Sequence, residues 1–184
     1  MQKTLALLLL LLITSFARAG ELPVSTKQPL VVVAPDQWTS GVEQPPNGFL
    51  PIETYHVLPP AGHNASCLIS IVGRDKQQYT DPQLLKNLVR SGSLPYVSSP
   101  EELPKLEPKE LLINGGLGFY LNFVDPDLVG KPIEAGKYKT ATPITVSLGT
   151  KYLMNITILC DDLNGPDYRD MLKIVQSIKV KGSL

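Results

Sequence analysis

The sequence predicts an α+β domain: a mostly antiparallel sheet packed with two main helices. Three observations predict it. Short β-branched or alternating runs recur along the chain, separated by Pro, Gly and Asn clusters. Two segments change instead to the 3.6-residue period of a helix with one apolar face. These two stand isolated between groups of strands, which argues against a doubly wound parallel sheet.

The first nineteen residues do not belong to that domain. Lys3 gives a cationic start, Leu5 to Ile13 is a short apolar run, and Ala17-Arg18-Ala19 supplies a small-residue cleavage signal. A spanning helix needs about 20 predominantly apolar residues, and the run is roughly half of that, so the segment reads as a secretory signal cut after Ala19. Residues 20–29 read as a polar leader and residues 30–184 as a single domain. The expected product is a soluble exported protein, periplasmic or secreted, with no stable membrane anchor.

Leu30 to Ala34 is a β-branched run stopped by Pro35-Asp36, and Trp38 to Val42 follows as a second strand before the turn cluster Gln44 to Gly48. Glu53 to Leu58 alternates and closes at Pro59-Pro60. Cys67 to Val72 is apolar on both faces, as expected of a central strand covered on two sides. Asp81 can cap a helix that has Pro82 in its first position, Leu84, Leu85, Leu88 and Val89 on one stripe, and Gly92 at its end. Ser93 to Pro108 carries four prolines and reads as a long surface loop, a length that marks candidate functional segments. Glu110 to Ile113 leads through Asn114-Gly115-Gly116 into a strand from Leu117 to Val124. Tyr138 to Leu148 and Tyr152 to Cys160 flank Gly149 and predict a hairpin. A closing helix begins after Asp161 to Pro166, with Tyr168, Met171 or Leu172, Val175 and Ile178 on its buried face. The helices then cover both faces of the sheet, or one face while long loops cover the other.

Charge excludes more than it assigns. Seventeen basic residues balance seventeen acidic ones, and loss of Lys3 and Arg18 with the signal leaves the mature chain slightly acidic. That composition offers nothing to neutralise phosphates, so nucleic acid is not expected, nor is a polybasic stripe for anionic lipid present. Of the two histidines, His56 falls in a strand and His63 in the loop after it, a spacing that makes no metal set. Asp125 with Asp127, and Asp161, Asp162, Asn164 and Asp167, form two acidic clusters. The second group could offer oxygen ligands to Ca²⁺, although acidic and Asx residues at the positive end of a helix account for it as well. Asn114 to Phe119 resembles part of a phosphate loop, but a strand follows it where a phosphate cradle needs a helix, so a strand-connecting turn is expected and no cofactor is assigned. No G-x-S-x-G elbow occurs. Asn64-Ala65-Ser66 and Asn155-Ile156-Thr157 match the glycosylation sequon.

Cys67 and Cys160 leave two readings open. Export permits a disulfide between them, and closing a loop of about 100 residues would contribute up to about 4.7 kcal/mol. Two separate buried thiols are the other reading. Neither cysteine stands beside a histidine or at a helix start that would activate it as a nucleophile.

The order of elements resembles the PsbP/Mog1-like group. The resemblance is carried by early strands with a Trp after Pro-Asp (Pro35-Asp36-Gln37-Trp38), a central helix, a Gly-rich approach to a strand, a hairpin, and a closing helix ending Val175-Gln-Ser-Ile-Lys179. It spans most of residues 30–180 and implies an α/β/α sandwich around an antiparallel sheet. It also implies an accessory or binding protein, and it transfers no functional residue. The function expected on these grounds is an exported accessory or ligand-binding domain without catalytic activity, acting on a protein partner or a small ligand. The alternative is a secreted hydrolase, carboxylate- or metal-dependent, using Asp125, Asp127, Asp161 and Asp162.

Overall fold

A computed structural model describes residues 19–42, 52–74, 79–134 and 136–182. All but the last residue of the predicted signal lies outside these residues, as does the turn cluster Gln44 to Gly48.

A large antiparallel sheet forms the centre. Its strands are β3 (Thr39–Val42), β4 (Thr54–Leu58), β5 (Ser66–Arg74), β6 (Lys109–Ile113), β7 (Gly116–Tyr120), β8 (Phe123–Val124), β9 (Thr140–Leu148) and β10 (Tyr152–Cys160). Their spatial order is β3-β4-β5-β10-β9-β7-β6, with β8 continuing beside β9. The hairpin predicted around Gly149 is present, with Ile156 opposite Ile144 at its middle. A second sheet joins β1 (Gly20–Pro23), β2 (Leu30–Ala34) and β11 (Lys179–Val180). The segment read as a polar leader therefore carries a strand: β1 pairs with β2 from Gly20 opposite Ala34 to Pro23 opposite Val31. With one polar-facing side and two prolines, it lacks the periodic signal by which strands are recognised.

The helices lie on opposite faces of the large sheet. Helix α1 (Pro82–Gly92) is capped as predicted, the Asp81 side chain accepting from the Gln83 N–H. It buries Leu85 and Val89 against Phe119 and Leu153. Helix α2 (Pro166–Gln176) places Met171, Ile174 and Val175, with Ile178 just beyond it, in the main core. That core also holds Ile69, Ile156 and Ile158 from one face of the sheet and Val24, Leu30 and Val32 from the small sheet. Fully burying each such aliphatic side chain contributes about 1.5–3 kcal/mol, so this layer supplies the larger share of the hydrophobic stabilisation. The result is an α/β/α sandwich, α1 on one side and α2 with the small sheet on the other.

Helix α1 covers only the β7–β9 half of its face. On the other half Thr54, His56, Leu68, Ser70 and Thr157 are half-buried and Asn155 is exposed. β5, expected to be covered on both sides, thus has one buried face (Cys67, Ile69, Ile71) and one partly open. The Thr54 and Ser70 hydroxyls, cross-strand neighbours, are 2.7 Å apart.

The predicted strand from Leu117 to Val124 is one ladder with a gap. β7 and β8 keep the same register against β9, Tyr120 opposite Ile144 and Phe123 opposite Ala141. The interruption faces Pro143, which has no N–H to return, so only the bond from Leu121 N–H to the Pro143 carbonyl (3.2 Å) forms there. Asn122 then leaves the ladder, its Oδ1 accepting from Thr142 Oγ1 (2.9 Å) and Tyr168 Oη (3.0 Å).

Candidate functional site

The long proline-rich segment after α1 is ordered by local bonds. Pro95, Pro100 and Pro104 fix φ in two 3-10 turns, Leu94–Tyr96 and Pro100–Lys105. The turns are tied to α1: Ser93 Oγ donates to the Val89 carbonyl (2.7 Å), Arg90 Nε to the Leu106 carbonyl (2.9 Å), and Lys86 pairs with Glu107 (2.9 Å). The segment thereby holds Tyr96 against Phe123, ring centroids 5.6 Å apart and planes at 26°, an offset-stacked arrangement.

Beside this pair opens a cleft of about 370 Å³. One wall is Pro95 to Ser98, another Phe123 to Pro126, and the floor comes from Tyr138 to Ala141 with Leu159. Leu94 and Val124 lie at or next to it and are about half exposed, at 49% and 51%, so apolar surface continues outward from the opening. The charged residues of the lining are Asp125 and Lys139. Asp125 is already engaged: its Oδ1 accepts from the Asp127 N–H (2.9 Å), capping the short turn Pro126–Leu128, and its N–H donates to the Lys139 carbonyl (2.8 Å). Asp125 and Asp127 thus form a turn cap, with Asp127 facing solvent. Burial, and then the negative charge of Asp161, raise the pKa of the Tyr138 phenol, so it stays protonated.

The second acidic cluster is dispersed among separate partners. Both oxygens of Asp161 are 3.0 Å from Asn64 Nδ2, which also donates to the Lys137 carbonyl (2.9 Å). Asp162 Oδ1 accepts from the Asn164 N–H (2.8 Å), and Asp167 is 2.7 Å from His63 Nδ1. Together these bonds fasten the loop between β4 and β5 to the start of α2. Among the described residues, no three His, Cys, Asp or Glu side chains are grouped so as to hold a metal ion; Asp161, Asp162, Asn164 and Asp167 do not form one oxygen cage. The helix-start reading needs adjustment too, because Gly165 is the N-cap and no side chain caps α2.

The disulfide reading is corrected. Cys67 and Cys160 are free and buried. Cys67 stands opposite Ile158, two residues short of Cys160, a diagonal placement of about 7–8 Å that is too long for a disulfide. Burial pushes the Cys67 thiol up to about 12 and raises that of Cys160, whose Sγ lies 3.0 Å from Thr140 Oγ1. Both are inert core groups.

No family model matches the chain, and no curated protein matches it. Its structure is similar to the solution structure of cyanobacterial PsbP (CyanoP) from Synechocystis sp. PCC 6803: TM-score 0.51 and 9% identity, covering 91% of this chain and 95% of that chain. The fold is PsbP-like. The resemblance read from element order is therefore shown at the level of fold, and at 9% identity it stops there. Among the described residues no helix of this PsbP-like domain is long and apolar enough to cross a membrane.

Two features of the site escape a reading of the sequence. The cleft joins segments distant in the chain, Pro95 to Ser98 with Tyr138 to Ala141, and only the length of the proline-rich loop signals it. The His63–Asp167 pair bridges residues 104 apart, which no local spacing reveals. Of the two sequons, Asn64 spends its amide on Asp161 and Lys137, while Asn155 is exposed on the uncovered sheet face.

Proposed function

We propose that this PsbP-like chain is an exported accessory domain that works by binding, and that its working surface is the cleft beside the Tyr96–Phe123 stack. The observation that carries the reading is the cleft itself. It is a concave site of small-ligand size, walled by stacked aromatics, edged with exposed apolar side chains, and held by a loop that three bonds pin to α1. Export is supported by the signal pattern of residues 1–19. A binding role is also in keeping with the placement of the acidic residues, whose oxygens are used in turn caps and in bonds to Asn64 and His63.

Capture from the exported fraction tests the reading. Mature wild-type chain should retain a partner or small ligand that the Tyr96→Ala variant fails to retain. N-terminal sequencing of protein isolated from that fraction should begin at Gly20. Turnover of an ester, phosphate or peptide substrate, abolished by replacing Asp125, Asp127, Asp161 and Asp162, would instead establish the hydrolase.

A further inference from the structure

We infer that the cleft takes a free aromatic α-amino acid, its ring against the Tyr96–Phe123 wall, its ammonium on Asp125 and its carboxylate on Lys139. The inference rests on the binding role proposed above and specifies its ligand.

Two rungs of the β8–β9 ladder set the pattern. Phe123 stands opposite Ala141, an apolar rung that lines the cleft beside Tyr96. Two residues further along, Asp125 stands opposite Lys139, its N–H donating to the Lys139 carbonyl (2.8 Å), and both residues line the cleft. Residues two apart on an extended chain share a face and stand about 6.8 Å apart. An acid–base pair therefore lies next to the aromatic stack. In an aromatic α-amino acid one methylene separates the ring from the carbon that carries both charged groups, a reach of about 5 Å by ordinary bond lengths. The long, flexible Lys139 stem takes up the difference. About 370 Å³ lies near the lower end of the range, roughly 300–1,000 Å³, of pockets that hold small ligands. That is room for one such molecule, whose ring extends the existing offset stack without rearranging the wall.

The acid and the base are not spent on each other. Among the described residues no ion pair joins Asp125 to Lys139 or ties Lys139 to another carboxylate. Asp125 Oδ1 accepts from the Asp127 N–H (2.9 Å), which fixes the carboxylate and leaves Oδ2 to accept from a ligand. Adjacent opposite charges then choose the head group. A lone carboxylate drawn to Lys139 is repelled by Asp125 beside it, and a lone ammonium drawn to Asp125 is repelled by Lys139, so for either ion the two effects largely cancel. An ammonium and a carboxylate on one carbon match both residues at once. A peptide terminus carries only one of the two charges and is disfavoured on the same ground.

Titration of L-tryptophan, indole-3-propionate and tryptamine into ¹⁵N-labelled mature chain, followed by amide chemical shifts, tests the inference. The second probe lacks only the ammonium and the third only the carboxylate. Tryptophan should shift the amides of Tyr96, Val97, Phe123, Lys139 and Ala141. It should bind about threefold to fivefold more tightly than either analogue, as expected for one additional exposed charge contact. Asp125→Asn keeps an acceptor for the turn cap and removes the charge, so it should abolish the advantage over indole-3-propionate. Lys139→Gln should abolish the advantage over tryptamine. Tryptophan binding no tighter than an analogue, advantages that survive both substitutions, or shifts confined to other surfaces would each overturn it. If tryptophan leaves the cleft unshifted while Tyr96→Ala still loses its captured partner, the ligand chemistry is wrong and the binding role stands. If Tyr96→Ala retains everything the wild type captures, the binding role itself fails.

Discussion

An alanine at Gly116 would place its methyl carbon 2.3 Å from the Ser147 carbonyl oxygen and 3.3 Å from Leu148 Cα. A carbon and a carbonyl oxygen on neighbouring strands ordinarily approach to about 3.3 Å, so β7 and β9 must part locally by about 1 Å. Both contacts are backbone, and neither can rotate away. Gly116 is the first rung of β7, opposite Leu148, and the next turn is joined to it by the Gly149 N–H to Gly115 carbonyl bond (3.0 Å). Opening the rung loses about one backbone hydrogen bond, roughly 1 kcal/mol net, and adds overpacking strain of about 1–3 kcal/mol. Gly116→Ala should therefore cost about 2–4 kcal/mol, read as a lower urea midpoint at unchanged slope. Gly92→Ala is the internal comparison. Its added methyl meets nothing within 4 Å, its φ is not left-handed, and it closes α1, so it should stabilise by about 0.4–1 kcal/mol. A Gly116→Ala protein within about 0.5 kcal/mol of wild type would refute the steric account. The glycines of Asn114 to Phe119 would then need another explanation, a ligand among them.

Other expected outcomes follow from the same contacts. Thiol titration of the native protein at pH 8 should find no reactive group, because burial raises both cysteines. Unfolding without reductant should release two thiols, and finding none would restore the disulfide. At Glu53 burial raises the carboxyl pKa, but it is outweighed by bonds from the Thr26 hydroxyl and N–H and from Ser25 Oγ, aided by the charge of Lys27. Its folded pKa therefore lies below the ordinary glutamate value. Its stabilisation is present above the unfolded value and disappears as pH falls through the folded one. Glu53→Gln should be less stable than wild type at pH 7, with denaturation midpoints converging below about pH 4; a constant gap across that range would exclude the carboxylate as the cause. Asn64→Ala removes the donor to Asp161 and should lower stability by about 1–2 kcal/mol, measured by urea unfolding. Saturating Ca²⁺ should leave the wild-type Tm unchanged; a rise would reveal an oxygen site that Asp161, Asp162, Asn164 and Asp167 do not form in this geometry.

What was legible in the sequence, and what was not, divides along a physical line. Helix α1 could be placed because its signals are local: Asp81, Pro82 and the stripe through Leu85 and Val89 lie within one short segment. The β9–β10 hairpin followed from Gly149 for the same reason. The leader strand β1 was hidden because its stability comes from pairing with β2 and not from its own pattern. The gap after Tyr120 was hidden because its cause, Pro143, sits on another strand. The cysteine question needed a register, which the sequence does not contain, and once Cys67 is opposite Ile158 the geometry decides it.

The same division explains why the candidate site was the least legible part. Catalytic motifs announce themselves because chemistry fixes residue types at short spacing, whereas a binding cleft needs only shape and one or two well-placed polar groups. Here shape depends on α1 holding a loop through Arg90 and Lys86. It depends equally on Phe123 keeping the β7 register past a proline that interrupts the ladder. The first dependence involves no residue that lines the cleft. Substitutions at Arg90 should therefore disturb the cleft by freeing the loop while leaving the Tyr96 and Phe123 side chains intact. Arg90→Ala should weaken whatever Tyr96→Ala abolishes, with an intermediate loss measured in the same capture assay. Full retention in Arg90→Ala would mean that the loop holds its place without α1, and that the cleft is set by the aromatic stack alone.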